Sequence, residues 1–187
     1  IFLASASPRR RQLLANLDID VKLIKPRDVD ESFPTDTPVE NVAEYVSRKK
    51  AEAYTNDIGP DDIIITADTV VICDGIVMGK PHGGPENARE MLRQLSGKRH
   101  KVITGVTLTT GDHGMQSFST TTIVEFKNLS DNEINYYVDK YRPLDKAGAY
   151  GIQEWIGYIG VSRIEGCYYN VMGLPLHDLF NKLTTLF

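Results

Sequence analysis

The stretch from Asp62 to Pro81, "DIIITADTVVICDGIVMGKP", limits the possible folds more than any other part of the chain. Its dense run of isoleucine, valine and threonine reads as a strand buried on both faces. Asp74-Gly75 suits a type I′ turn and Pro81 stops the returning run, so the segment predicts a β-hairpin with Cys73 facing Ile76. Continued, that register puts Thr69 opposite Lys80 and Asp68 opposite Pro81, with Lys80 and Asp68 on opposite sheet faces unless a bulge intervenes. A carboxylate inside such a strand is costly unless it meets a metal, a cation or a reacting water. Asp68 therefore asks for chemistry, or for a buried pair with Lys50 or Lys80 that serves the fold alone.

Strands and helices alternate around this hairpin. "IFLAS" and "VKLIK" are expected strands flanking a helix from Pro8 to about Leu17, and Thr37-Pro38 opens a second helix to about Tyr54 with Thr37 as its cap. Pro85 to Ser96 carries one apolar stripe, Ala88, Met91, Leu92 and Leu95, ended by Gly97. Two long strands follow, "HKVITGVTLTT" and "MQSFSTTTIVEF", then a helix from Ser130 to Tyr141 with a Ser130/Glu133 capping box. The glycine-rich stretch from Gly148 to Gly173 predicts short strands, and Pro175 starts a last helix with Leu176, Leu179, Phe180 and Leu183 on one face. Hairpins mixed with crossovers imply an α/β fold with a partly antiparallel sheet, in one domain over residues 1–187.

Charge narrows the partners. Twenty-one basic against 25 acidic residues leave a net charge of −4, so no global positive field exists to draw in nucleic acid or an anionic membrane. Any anion site must be local. Cys73 and Cys167 stand in no metal-binding spacing and suit reduced thiols packed as small hydrophobes in a cytoplasmic protein. No apolar run reaches the roughly 18 residues of a membrane span, and "IFLA" meets polar residues too early for a signal segment.

A local anion site is written into "LASASPRRRQLL". Ser7 can cap, Pro8 can take the first helical position, and small Ala4 and Ala6 leave the turn's amides open to an anion. Three arginines at that positive end oppose the helix dipole, which makes sense if an anion supplies compensating charge; a solvated basic helix start is the alternative. On the second helix Val39, Ala43, Val46, Lys50 and Ala53 share a face, so Lys50 points inward and needs a negative partner, or snorkels at the rim. Glu31, in "RDVDESFP", is a second acidic candidate for a metal. In "DKAGAYGIQ", Gly148 and Gly151 let the backbone approach a flat ligand, or serve the turn's conformation alone, beside Gln153, whose amide matches the N3–H and O4 edge of uracil or thymine.

Together "LASASPRR", "RKKA", "ADTVV", "GKP", "DKAGAYGIQ" and "YYNVMGLP", in this order over nearly the whole chain, resemble the Maf family of nucleoside triphosphate pyrophosphatases. The resemblance implies an elongated mixed sheet flanked by helices with a central cleft, similar to inosine triphosphate pyrophosphatases, and frequently a homodimer. It implies hydrolysis of a nucleoside triphosphate to monophosphate and pyrophosphate with Mg²⁺ or Mn²⁺, and "DKAGAYGIQ" looks like the branch acting on dTTP and UTP. Asp68 matches the family's proton acceptor; Arg10, Thr69 and Gln153 match specificity-associated positions; Ser5, Arg9, Glu31, Lys50 and Lys80 match polar positions lining the cleft. On this expectation Ser5, Arg9, Arg10, Lys50 and Lys80 hold the triphosphate and a divalent ion bridges it to Asp68 or Glu31. Asp68 then orients or deprotonates the attacking water, or ligates the ion. Two competitors stay open: a pyrophosphatase for modified nucleotides such as 7-methyl-GTP, and a non-catalytic nucleotide sensor that regulates cell division through a protein partner.

Overall fold

The hairpin forms as its turn chemistry dictates. Strand β3 spans Ile63–Cys73 and β4 spans Ile76–Met78 in a computed structural model that describes residues 1–56 and 58–186. Asp74 and Gly75 both take positive φ, 51° and 77°, the geometry of a type I′ turn. Cys73 pairs with Ile76, and the ladder runs back to Val71 opposite Met78, where it stops. Lys80 thus lies beyond the ladder, and the alternation that would set it opposite Thr69 does not extend to it. Along β3 only Asp68 and Thr69 break an otherwise buried run.

The remaining elements are β1 (Phe2–Ala4), α1 (Pro8–Ala15), β2 (Lys22–Ile24), α2 (Val42–Glu52), α3 (Gly84–Leu95), β5 (Arg99–Thr110), β6 (Gly114–Phe126), α4 (Asp131–Tyr141), α5 (Trp155–Gly160), β7 (Val161–Glu165), α6 (Tyr168–Met172) and α7 (Leu176–Thr184). Among the described residues seven strands form one mixed sheet, ordered β2-β1-β3-β5-β6-β7, with β4 paired to β3 off that path. β1 runs parallel to β2 and β3, whereas β3/β4 and β6/β7 are antiparallel. The α/β class with a helix-flanked mixed sheet is thus as expected.

Two compact units make up the chain, both discontinuous in sequence: residues 1–68, 104–120 and 173–187 form the first, residues 69–103 and 121–172 the second. In the first, Ser47 and Thr66 of α2 and β3 are buried yet bonded: Ser47 Oγ pairs with Thr107 Oγ1 at 2.9 Å and Thr66 Oγ1 donates to the Ser47 carbonyl at 2.8 Å. Helix α2 lies directly on β5 at Gly105, where a Cβ would stand 2.3 Å from the backbone of Ala43 and Glu44. In the second, Ala88, Leu92 and Leu95 of α3 pack with Ile134, Tyr137 and Val138 of α4 and with Ile152 and Ile156.

Several local expectations are corrected. Helix α2 starts later than Thr37-Pro38, after a 3₁₀ turn over Val39–Asn41; Pro38 occupies the cap position and no side chain caps that turn. Thr37 instead closes a turn, its amide donating to the Pro34 carbonyl at 3.0 Å. The Gly148–Gly173 stretch holds one strand, β7, between two short helices, α5 and α6, in place of the several short strands expected. Ile156, fully buried, recruits α5 to the core although its glycines disfavour a helix locally. Phe180 is exposed, so Leu176, Leu179 and Leu183 alone make the buried stripe of α7. Both thiols are free, but only Cys73 is buried; Cys167 is half-buried.

His100 gives the second unit a pH dependence. It is buried edge-on to Phe126 and Tyr150, its Nε2 2.8 Å from the Tyr150 hydroxyl, and burial pushes its pKa from 6.5 down to about 4. The unfolded chain therefore takes up the proton first, so this contribution to stability is complete above pH 6.5 and is lost as pH falls toward 4. We expect about 2 kcal/mol less stability at pH 4.5 than at pH 7, absent from His100→Gln. Urea unfolding of both proteins at the two pH values checks this.

Candidate active site

Asp68 stands at the one break in the buried run of β3, and α2 delivers a partner. Lys50 Nζ lies 2.7 Å from Asp68 Oδ1 and 3.0 Å from Glu31 Oε1. The side chains of Lys50 and Asp68 are 19% and 16% exposed, that of Glu31 53%, so the triad is reachable from solvent at its Glu31 side. Lys50 is thus paired inward and does not snorkel. One cation holding two carboxylates offsets the cost of desolvating all three.

The neighbouring pair fixes this arrangement. Lys49 Nζ binds Asp30 Oδ2 at 3.2 Å and the Ser32 carbonyl at 3.1 Å, so consecutive lysines on α2 take consecutive acids of the loop. Asp30 also accepts from the Ser32 amide and hydroxyl, at 2.9 and 2.6 Å, and those bonds with Lys49 lower its pKa to about 2. The Asp30–Ser32 turn presents Glu31 to Lys50.

The arginine-bearing turn lies beside Asp68. Ser7 caps α1, accepting from the Arg10 amide at 3.5 Å, and Ser5 Oγ accepts from the Ser7 amide at 3.2 Å. Ser7 caps as expected, and the amides of Ser7 and Arg10 are satisfied internally. Arg10 Nε donates to the Gly173 carbonyl at 2.8 Å, and its Nη1 donates to the Ala67 carbonyl at 2.9 Å and to Ser5 Oγ at 3.4 Å. Burial lowers the Arg10 pKa, opposed by Asp68, assisted by Arg9 and opposed again by Glu31, so all four charges share one electrostatic neighbourhood. Arg10 is a clamp between α1, the residue before Asp68 and the start of the C-terminal segment. Sequence reasoning missed this role, because its acceptors are backbone carbonyls that leave no residue-type signal.

Ser5, Arg9, Arg10, Glu31, Lys50 and Asp68 all belong to the first unit; Thr69, Lys80 and Gln153 belong to the second. Thr69 is half-buried and Lys80 is exposed. The Gly79 carbonyl next to Lys80 accepts from the Gly148 amide at 3.1 Å, where Gly148 has φ 65° and a Cβ would meet Val71 at 2.8 Å. Gly148, expected to let the backbone approach a flat ligand, instead packs against the hairpin. Gln153 is half-buried, and its Oε1 is buried without a hydrogen-bond partner among the described residues.

No group of three or more His, Cys, Asp or Glu side chains suited to a metal occurs among the described residues. Glu31 and Asp68, two hard-oxygen donors on one cation, fit an Mg²⁺-type ion that takes one or two carboxylates and completes its shell with phosphate oxygens and water. No helix among the described residues is long and apolar enough to cross a membrane.

The family model described as "Maf-like protein" matches residues 1–186. A protein of Bacteroides thetaiotaomicron named dTTP/UTP pyrophosphatase is 54% identical over 186 residues, covering 100% of this chain and 95% of that one. One of Porphyromonas gingivalis with the same name is 51% identical, covering 98% and 92%. Among solved structures, the Staphylococcus aureus Ham1 protein superposes with a TM-score of 0.55 at 18% identity over 97% of each chain, a likeness of fold.

Proposed function

We propose that this chain, which belongs to the Maf-like protein family, is a pyrophosphatase that hydrolyses dTTP and UTP to the monophosphate and pyrophosphate. The observation that carries this reading is the Asp68–Lys50–Glu31 triad beside the Arg9–Arg10 turn: two carboxylates held by one lysine, in the same electrostatic neighbourhood as two arginines. The names of relatives at 54% and 51% identity support the substrates.

In this reading Arg9, Ser5, Lys50 and Lys80 offset triphosphate charge, while Arg10 keeps the α1 turn against β3. Asp68 orients the water that attacks the α-phosphorus and takes its proton as the new O–P bond forms and the bond to pyrophosphate breaks. Lys50, 2.7 Å away, holds Asp68 aimed. Glu31 and Asp68 would hold a divalent cation, which when bound supplies charge neutralisation at phosphate oxygens and a more acidic water. Thr69 and Gln153 select the base, Gln153 through an Oε1 that matches the N3–H of uracil or thymine. The free thiols support a cytoplasmic, reducing setting. The exposed Tyr158, at 77%, with Tyr168 and Tyr169, supports a homodimer, which sedimentation would test.

A substrate panel of dTTP, UTP, CTP, GTP and 7-methyl-GTP, read as pyrophosphate release with and without EDTA, tests the assignment. We expect kcat/KM for dTTP and UTP to exceed that for CTP by about tenfold or more, and EDTA to abolish turnover. Preference for 7-methyl-GTP would move the chain to modified nucleotides. Intact UTP after incubation with protein and Mg²⁺ would make it a sensor that binds without cleaving.

A further inference from the structure

The base-reading turn is fastened from behind by groups to which the proposed reaction assigns no role. Residues Gly151 to Glu154 form a turn closed by the Glu154 amide donating to the Gly151 carbonyl at 3.0 Å. Behind it, the hydroxyl of fully buried Tyr137 donates to Glu154 Oε2 and accepts from the Gly151 amide at 3.0 Å. One hydroxyl therefore ties both ends of the turn. Lys146, 8% exposed, adds an ion pair from Nζ to Glu154 Oε1 at 3.1 Å and a second to Asp145 at 2.7 Å. There is no slack: a Cβ on Gly151 would meet Glu154 Cδ at 2.9 Å and Lys146 Cε at 3.1 Å. On the far side the Tyr158 hydroxyl donates to the Gln153 carbonyl at 2.9 Å.

Gln153 is thus held at a fixed place in a turn pinned at Gly151 and Glu154, and its Oε1 lies buried with no partner among the described residues. The chemistry of an amide makes that fixation matter. A carboxamide free to rotate by half a turn offers donor and acceptor in either order, so it suits the N3 and N4 edge of cytosine as well as the N3–H and O4 edge of uracil. Discrimination requires that the amide meet the base at one place and in one order, and the pinned turn fixes the place.

We infer that Tyr137, Glu154 and Lys146 form a positioning network that sets the preference for uracil and thymine nucleotides over cytosine nucleotides by holding in place the backbone turn from which Gln153 reaches the base. This rests on the reading of Gln153 as the base-selecting residue. The bonds of all three run to one another, to Gly151 and to Asp145, and none to a residue assigned to the phosphates, so their loss should affect selection of the base and leave the chemical step alone.

The test uses full-length Tyr137→Phe, Glu154→Gln and Gln153→Ala, with kcat and KM measured on UTP and CTP by pyrophosphate release. We expect Tyr137→Phe to lower the UTP:CTP ratio of kcat/KM by about tenfold, mainly through KM for UTP, with kcat for UTP within about twofold of the parent. Glu154→Gln keeps the shape but weakens both the tyrosine and lysine bonds, and should show a smaller shift of the same sign. Should Tyr137→Phe prove insoluble, Glu154→Gln decides by the same criterion. A ratio unchanged in both variants while Gln153→Ala collapses it overturns the network's role and leaves Gln153 as base reader. A ratio unchanged even in Gln153→Ala overturns both. Equal loss of activity on UTP and CTP would show a purely structural network and also overturns the inference.

Discussion

Asp68→Asn loses about a thousandfold or more in kcat on UTP while remaining folded. The side chain keeps its size, and its remaining carbonyl oxygen can still accept from Lys50, which retains Glu31 at 3.0 Å as an ionic partner. Because the variant keeps a hydrogen-bond acceptor for Lys50 and Lys50 keeps Glu31, the stability cost is about 1–2 kcal/mol. Chemistry suffers far more. The amide cannot take a proton from water and is a weaker ligand for a divalent ion, so the loss holds whether Asp68 serves as base or as ligand. Pyrophosphate release and a thermal melt on the same preparation check both halves. Near-normal turnover would remove the central residue.

Gly105→Ala destabilises the chain by about 3 kcal/mol or more, lowering Tm by roughly 10 °C. The methyl would fall 2.3 Å from the Ala43 carbonyl carbon and the Glu44 nitrogen and 2.4 Å from the Ala43 oxygen, all backbone atoms with no rotamer to yield. Helix α2 must therefore shift away from β5, straining the buried Ser47–Thr107 bond and carrying Lys50 away from Asp68. Activity should fall together with stability. Gly79→Ala is the control, since a Cβ there meets nothing within 4 Å, and its melt should match the parent. Equal melting of the two variants would mean that α2 does not rest on β5 as described.

Much of this arrangement is legible wherever local chemistry and tertiary need agree. Asp74-Gly75 announces its turn, and the register of β3 against β4 follows. Ser130 and Glu133 form the capping box that their spacing predicts, and of the stripe on α3 Ala88, Leu92 and Leu95 are buried while Met91 is half-buried. Lys50 is legible as an inward cation, and Asp68 is its nearest anion. Legibility fails where the deciding atoms carry no residue label. The acceptors of Arg10 are carbonyls of Ala67 and Gly173, 57 and 163 positions away along the chain. Gly105 in "TGV" looks like any strand glycine until α2 is laid on it. Helices α5 and α6, 6 and 5 residues long, are too short to announce themselves and exist because the core receives Ile156 and Asn170. The amides of the first turn of α1 look available only because the hydroxyls that satisfy them lie on the same few residues.

The Arg10 clamp also dictates when, during synthesis, the acidic centre can mature. Ribosomes emit Ser5, Arg10, Lys50 and Asp68 early, yet one of the arginine's carbonyl anchors is Gly173, and the first unit is complete only with residues 173–187. A nascent chain carries its reactive carboxylate for some seconds, at about 5–20 residues per second, before the last anchor emerges. A nonsense mutation just upstream of Gly173 would therefore yield a polypeptide that keeps every residue assigned to the reaction and still lacks the brace for the α1 turn.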